Sequence, residues 1–186
     1  MKKFLQTRLL LAVMSIVLGF GLAQADTYTY TFTSSQFSGS DQSVALGDAT
    51  WTLTTDAGYF GIDQNGKGQQ IGSAKKAATN ATLSTASFAD YEITGVTVNT
   101  SGASSINGTV AVKVGGTQWG ETKSLTSSAT DYAFTGTGKG DVTIEWTNSS
   151  SKALYVKSIT IEYAAAASNV ATLAVATSTP AEGEEV

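Results

Sequence analysis

Threonine alternates with aromatic rings where the apolar leader of this chain ends. Thr27, Thr29, Thr31 and Thr33 interleave with Tyr28, Tyr30 and Phe32. A period of two puts hydroxyls on one face and rings on the other, as an extended strand does and a helix does not. The pattern returns in Ala49–Thr54, Gly108–Val114 and Asp141–Trp146. Further short strands are expected near Gln69–Gly72, Ala81–Ser84, Tyr91–Asn99, Asp131–Thr135 and Ala153–Tyr163. No helical period competes with them. Nine or ten such strands predict an all-β fold, a two-sheet antiparallel β-sandwich of jelly-roll type. An outer-membrane barrel needs strands of about 9–11 residues, whereas most segments here run to about 5–7.

Two strands break their own parity. The apolar set shifts from Tyr91 and Ile93 to Val96 and Val98, and again from Leu154 and Val156 to Ile159, Ile161 and Tyr163. A one-residue slip is the signature of a β-bulge, expected at Thr94–Gly95 and at Lys157–Ser158.

The alternation begins only after an address. Lys2, Lys3 and Arg8 precede an apolar run from Leu9 to Leu22, and Ala23-Gln24-Ala25 supplies small residues around a cleavage point. Residues 1–25 read as a cleaved signal peptide of bacterial form, since the run falls short of the roughly 20 residues a bilayer crossing needs. Residues 26–163 read as the β-sandwich. Residues 164–186 read as a flexible low-complexity tail with one weak strand signal over Val170–Val175. The expected location is secreted, periplasmic or extracellular, with no membrane insertion.

Removing the leader takes three of the 11 basic residues and none of the 15 acidic ones, which leaves eight lysines, no arginine and a net charge of −7. Nucleic-acid binders use basic patches and bidentate arginines, so that class is set aside. The chain has no cysteine and no histidine. Disulfides, zinc fingers, thiol nucleophiles and imidazole bases go with them. The fold must stand on its core alone, which a domain of this length can do.

Trp51 shares parity with Ala49 and Leu53, and Trp146 with Val142 and Ile144. If Gly115-Gly116 is a two-residue hairpin turn, Val112 faces Trp119, which then joins the same apolar face. All three tryptophans are expected in the core and not on a sugar-stacking surface.

The stretch Gly58–Gly68 reads instead as an exposed, glycine-punctuated loop. It carries the candidate ligand-binding residues Tyr59, Asp63, Gln64, Asn65 and Lys67. An aromatic ring beside carboxylate, amide and amine groups can stack on a sugar and hydrogen-bond its hydroxyls. The same residues fail as an EF-hand, because Lys67 and Ala74 stand at its fifth and twelfth positions. A structural calcium held some other way is the one cofactor left open, and no metal site is assigned. No catalytic residue is assigned either. A glycosidase would need two of Asp63, Asp90, Glu92, Glu121, Asp131, Asp141 and Glu145 opposed across a pocket.

The wording from Gly66 to Tyr163 carries a resemblance. Gly66–Ser73, Ala81–Ser84, Ile93–Thr100, Val110–Gly116, Asp131–Gly136 and Ser151–Tyr163 together resemble a galactose-binding-domain-like jelly roll that recurs as an accessory module in secreted bacterial multidomain proteins. Such modules sit beside Ig-like domains, glycan-active enzymes or extracellular nucleases. Thr179–Gly183 resembles the opening of a following β-domain. The resemblance supplies no catalytic set. The leading expectation is a non-catalytic module that binds glycan through loops at one end of the sandwich. The alternative is a structural or adhesive protein that meets another cell-surface protein through sheet faces or edges.

Overall fold

The computed structural model describes residues 25–165 apart from Gln64. The leader and the tail, with the weak strand signal at Val170–Val175, lie outside the described residues except for Ala25, Ala164 and residue 165.

Every regular element among the described residues is a strand. In chain order they are β1 (Ala25–Thr31), β2 (Gln42–Leu46), β3 (Ala49–Thr55), β4 (Phe60–Asp63), β5 (Gly68–Ile71), β6 (Asn80–Thr85), β7 (Glu92–Gly102), β8 (Gly108–Val114), β9 (Thr117–Gln118), β10 (Lys123–Ser124), β11 (Thr130–Gly138), β12 (Val142–Asn148) and β13 (Leu154–Ala164). One sheet runs β11-β7-β13-β5-β4, with β1 also paired to β13; the other runs β10-β8-β12-β6-β3-β2, with β9 beside β8. All pairings are antiparallel. From β5 to β8 and again from β10 to β13 the chain alternates between the sheets, which is the jelly-roll way of wrapping a sandwich.

Long β13 organises the first sheet. One flank pairs with β7; on the other, Leu154–Val156 pair with β5 and Ser158–Ala164 pair with β1. Both expected bulges are present. Lys157 is skipped between Val156↔Thr100 and Ser158↔Asn99, and Thr94 is skipped between Glu162↔Gly95 and Tyr163↔Ile93. Each extra residue resets the parity, so Leu154 and Val156 stay inward on one side of Lys157 and Ile159 and Ile161 on the other.

The core lies between the sheets, and the tryptophans are in it. Trp51 and Trp146 are 0% and 1% exposed, and Trp119 is 6% exposed. The Gly115-Gly116 turn closes with Val114 opposite Thr117 and Lys113 opposite Gln118, and the Trp119 amide donates to the Val112 carbonyl. Two indole N–H groups are met by hydroxyls from the facing sheet. Trp51 Nε1 donates to the Tyr28 hydroxyl at 3.1 Å, and Trp146 Nε1 donates to Thr100 Oγ1 at 3.1 Å. Those hydroxyls donate onward to the Leu46 and Tyr155 carbonyls. A buried donor left unmet costs about 1–3 kcal/mol, so these chains fix how one sheet sits on the other.

Three strands, β2, β4 and β10, were not foreseen. Gln42–Leu46 lacks the β-branched and aromatic density that marks a strand, and β10 is two residues long.

Candidate functional site

The candidate residues sit on a hairpin, which corrects the expectation of a loop. Phe60–Asp63 forms β4 and pairs with Gly68–Ile71 of β5, so only residues 64–67 are left to turn the chain. Phe60 and Ile62 point half-buried toward the interior, which is what draws the segment into the sheet. The hairpin lies at the edge of the first sheet rather than in the loops at an end of the sandwich.

The turn is locked by its own carboxylate. Asp63 Oδ2 accepts from the Asn65 amide at 2.8 Å and the Lys67 amide at 3.2 Å. Gly68 then presses on the Lys157 bulge, where a Cβ would lie 2.2 Å from the Val156 carbonyl oxygen. The expected ligand role of Gln64 falls on a residue outside the described set. Asn65 is exposed in the turn.

Beneath the hairpin, one glutamine, Gln69, is 1% exposed. Its Oε1 accepts from the Gln36 and Phe37 amides, and its Nε2 donates to the Phe37 and Gly61 carbonyls. Gln69 thus ties the crossing between β1 and β2 to the hairpin and holds the site's base in place.

Gln70 faces the other way, and with it the outer surface emerges. A row crosses the sheet through Gly61, Gln70, Tyr155 and Ser101, each opposite the next, and is covered over at Ser101, which is 0% exposed. The Tyr59 ring folds over Gly61, its hydroxyl 3.1 Å from where a Cβ would stand. Tyr59 is 44% exposed, the highest of the large hydrophobic side chains among the described residues. Neighbouring strands are about 4.8 Å apart, so Tyr59 and Tyr155 stand on the order of 10 Å apart with Gln70 between them. The Lys67 ammonium lies 5.0 Å from the centre of the Tyr155 ring and donates to the Ser127 carbonyl at 2.8 Å. Burial first, then the charge of Asp63 and the nearby Tyr59, hold the Tyr155 phenol above its ordinary pKa.

The structure therefore joins Tyr59, Asp63 and Lys67 around a residue that the sequence reading had left out, Tyr155. The signal for it was there. Tyr155 stands between inward Leu154 and Val156, so alternation alone turns it outward.

Other polar groups are committed elsewhere. Glu145 pairs with Lys113 at 2.8 Å on the outer face of the second sheet. Asp131 accepts from Asn99 Nδ2 at 2.7 Å. Asp56 accepts from the Thr79 hydroxyl and from the Thr79 and Asn80 amides; burial raises its pKa, and those hydrogen bonds outweigh it and bring the pKa below the usual value. Among the described residues no three acidic side chains gather as a metal site. Two shallow depressions lie away from the hairpin, one around Thr52, Ser84 and Asp141 and one around Asn107, Thr147 and Asn148. Among the described residues no helix is long and apolar enough to cross a membrane.

No protein-family model matches the chain, and no curated protein matches it. Solved structures do. A family two carbohydrate esterase from Cellvibrio japonicus aligns at 12% identity over 75% of this chain and 34% of its own, with a TM-score of 0.42. The CBM36-1 domain of a multidomain xylanase from the hindgut metagenome of Trinervitermes trinervoides aligns at 17% identity over 60% of this chain and 95% of its own, with a TM-score of 0.40. Dimeric latent PorU from Porphyromonas gingivalis aligns at 8% identity over 76% of this chain and 13% of its own, with a TM-score of 0.37.

Proposed function

We propose that this protein is a secreted, non-catalytic glycan-binding module, and that the outer strip Tyr59–Gln70–Tyr155, bordered by Lys67, is its binding surface. The observation that carries this reading is the placement of exposed Tyr59 and half-buried Tyr155 on one sheet face, on either side of Gln70. Each ring offers an apolar face to the C–H side of a sugar, while the Gln70 amide and the Lys67 ammonium stand within reach of its hydroxyls. The strip is a ledge, with no enclosing pocket, so it suits a segment of a polymer better than a small isolated sugar. Among the described residues the strip lacks the paired, opposed carboxylates that a glycosidase uses, which supports a non-catalytic role. Asp63 is assigned to holding the turn, because its carboxylate is engaged by two backbone amides.

Affinity electrophoresis through gels cast with plant, host and bacterial polysaccharides tests the reading. Retardation by at least one polymer is expected. Tyr59→Ala and Tyr155→Ala should each weaken it by about 1–2 kcal/mol, roughly 5- to 30-fold in Kd. A Trp119→Phe control, altered only in the core, should bind like the parent. Free migration in every gel, or retardation indifferent to both tyrosines, would reject the proposal.

A further inference from the structure

The two lateral edges of the first sheet are built differently. At the β11 edge, Lys123 of β10 reaches over, donates to the Ala133 carbonyl and lies 4.6 Å from the centre of the Phe134 ring. A lysine laid on an edge strand is a standard guard against strand addition. At the opposite edge, among the described residues, no lysine lies across β1, and its one charge is Asp26 near its start. Thr27–Thr31 carries no charge, no proline and no glycine. Among the described residues only β13 pairs with it.

The direction of its free backbone groups follows from one hydrogen bond. The Phe32 amide donates to the Lys157 carbonyl at 2.9 Å. Backbone groups alternate sides along a strand, so Tyr28 and Tyr30 also point to β13, and Thr27, Thr29 and Thr31 point away. The Thr27 amide accordingly finds the Asp26 carboxylate at 2.8 Å instead of a strand partner. The position beyond β1 lies in line with β4. β1 and β5 occupy the same flank of β13, and β4 already lies outside β5.

The sequence states what fits that position. Thr27-Tyr28-Thr29-Tyr30-Thr31 reads the same in both directions about Thr29. An antiparallel copy centred there sets Thr29 against Thr29, Thr27 against Thr31 and Tyr28 against Tyr30, with hydroxyls on one face and rings on the other. Two-fold interfaces require a patch complementary to itself, and a palindromic strand with its free donors and acceptors on the outer edge meets that requirement. We infer that β1 is a homodimerisation edge, pairing antiparallel with β1 of a second copy about Thr29 to make one sheet continuous across the dimer. The inference stands apart from the glycan reading and shares no residue with it.

The chain has no cysteine, so an introduced one reports cleanly. Residues opposed in a hydrogen-bonded antiparallel pair have Cα atoms about 5.5 Å apart, within disulfide range. Sedimentation velocity on the purified protein should show a concentration-dependent twofold rise in mass. Under mild oxidation Thr29→Cys should become a covalent dimer at least tenfold faster than Thr143→Cys on the other sheet. Thr27→Cys should cross-link with added Thr31→Cys and not with itself. Thr29→Pro removes an amide that faces away from β13, and should therefore fold and stay monomeric; Thr29→Lys, which repeats the guard at the β11 edge, should do the same. A monomer at every concentration overturns the inference. So does a dimer indifferent to Thr29→Pro and Thr29→Lys. A parent monomer that dimerises only when residues 166–186 are deleted would also overturn it, by making the tail the occupant of this edge.

Discussion

A single hydroxyl, that of Tyr28, holds three parts of the molecule together. It donates to the Leu46 carbonyl at the end of β2 at 2.6 Å and accepts from Trp51 of β3 at 3.1 Å, while its own strand belongs to the other sheet. Burial, with smaller contributions from Tyr30 and Asp48 and against the hydrogen bond from Trp51, pushes its pKa up to about 12. An unfolded tyrosine ionises near 10. Below about pH 10 both states keep the proton and the stabilising contribution is complete. Between about 10 and 12 only the unfolded chain releases it, so the folded state loses ground as pH rises. Tyr155 and Tyr163, also raised chiefly by burial, add to the same alkaline loss. Urea unfolding from pH 8 to 11.5 should show a midpoint falling steeply above pH 10. Tyr28→Phe should be less stable by about 1–2 kcal/mol at pH 8, because it strands the Leu46 carbonyl and the indole N–H. It should also have a shallower decline above pH 10. A variant with the parent's alkaline slope would assign that loss to other groups.

At the scale of elements, the hairpin joining β8 and β9 separates backbone strain from crowding. Gly115 and Gly116 both have positive φ, +55° and +79°, the pairing a type I′ turn needs. A Cβ on Gly116 would meet nothing within 4 Å, whereas one on Gly115 would fall 2.3 Å from the Lys139 carbonyl oxygen. Gly116→Ala should cost about 1–2 kcal/mol, the price of a left-handed alanine, and Gly116→Asn less. Gly115→Ala should cost about 3 kcal/mol or more in urea or thermal unfolding, because the backbone before β12 must also move. Equal losses at the two positions would show that the turn yields around the new methyl. This hairpin and both bulges were legible in the sequence, because each is written as a change in a period-two pattern that flanking apolar residues keep in register. The candidate site was only half legible. Its turn chemistry, Asp63 to Lys67, is local and could be read. Gln69-Gln70-Ile71 gives no local reason why one glutamine is buried and the next exposed, since that depends on where β13 and the crossing at Gln36 and Phe37 arrive from distant sequence.

For the whole molecule, the order of strands in the sheets is what one-dimensional patterning cannot supply. β1 at one end of the described chain closes against β13 at the other, from Ala25↔Ala164 to Thr31↔Ser158. The central strands β13 and β12 each bind partners far away in sequence. Sandwiches dominated by such pairings must close long loops before contacts compensate for the lost chain entropy, and they fold in about milliseconds to seconds. Two slower processes are missing from the described residues by composition. There is no cysteine to reshuffle, and the chain's single proline is Pro180. The three buried tryptophans, Trp51 on β3, Trp146 on β12 and Trp119 just past β9, make the transition visible by fluorescence. Stopped-flow refolding should therefore finish within seconds, with rates unchanged by reductant and no phase lasting tens of seconds. A slow phase that a prolyl isomerase accelerates would mean that the segment around Pro180 must settle before the sandwich can complete, and would make 166–186 part of the folding unit. A slow phase that sharpens with protein concentration would instead report association during folding, as expected if the open edge of β1 is paired before the two sheets have closed on their core.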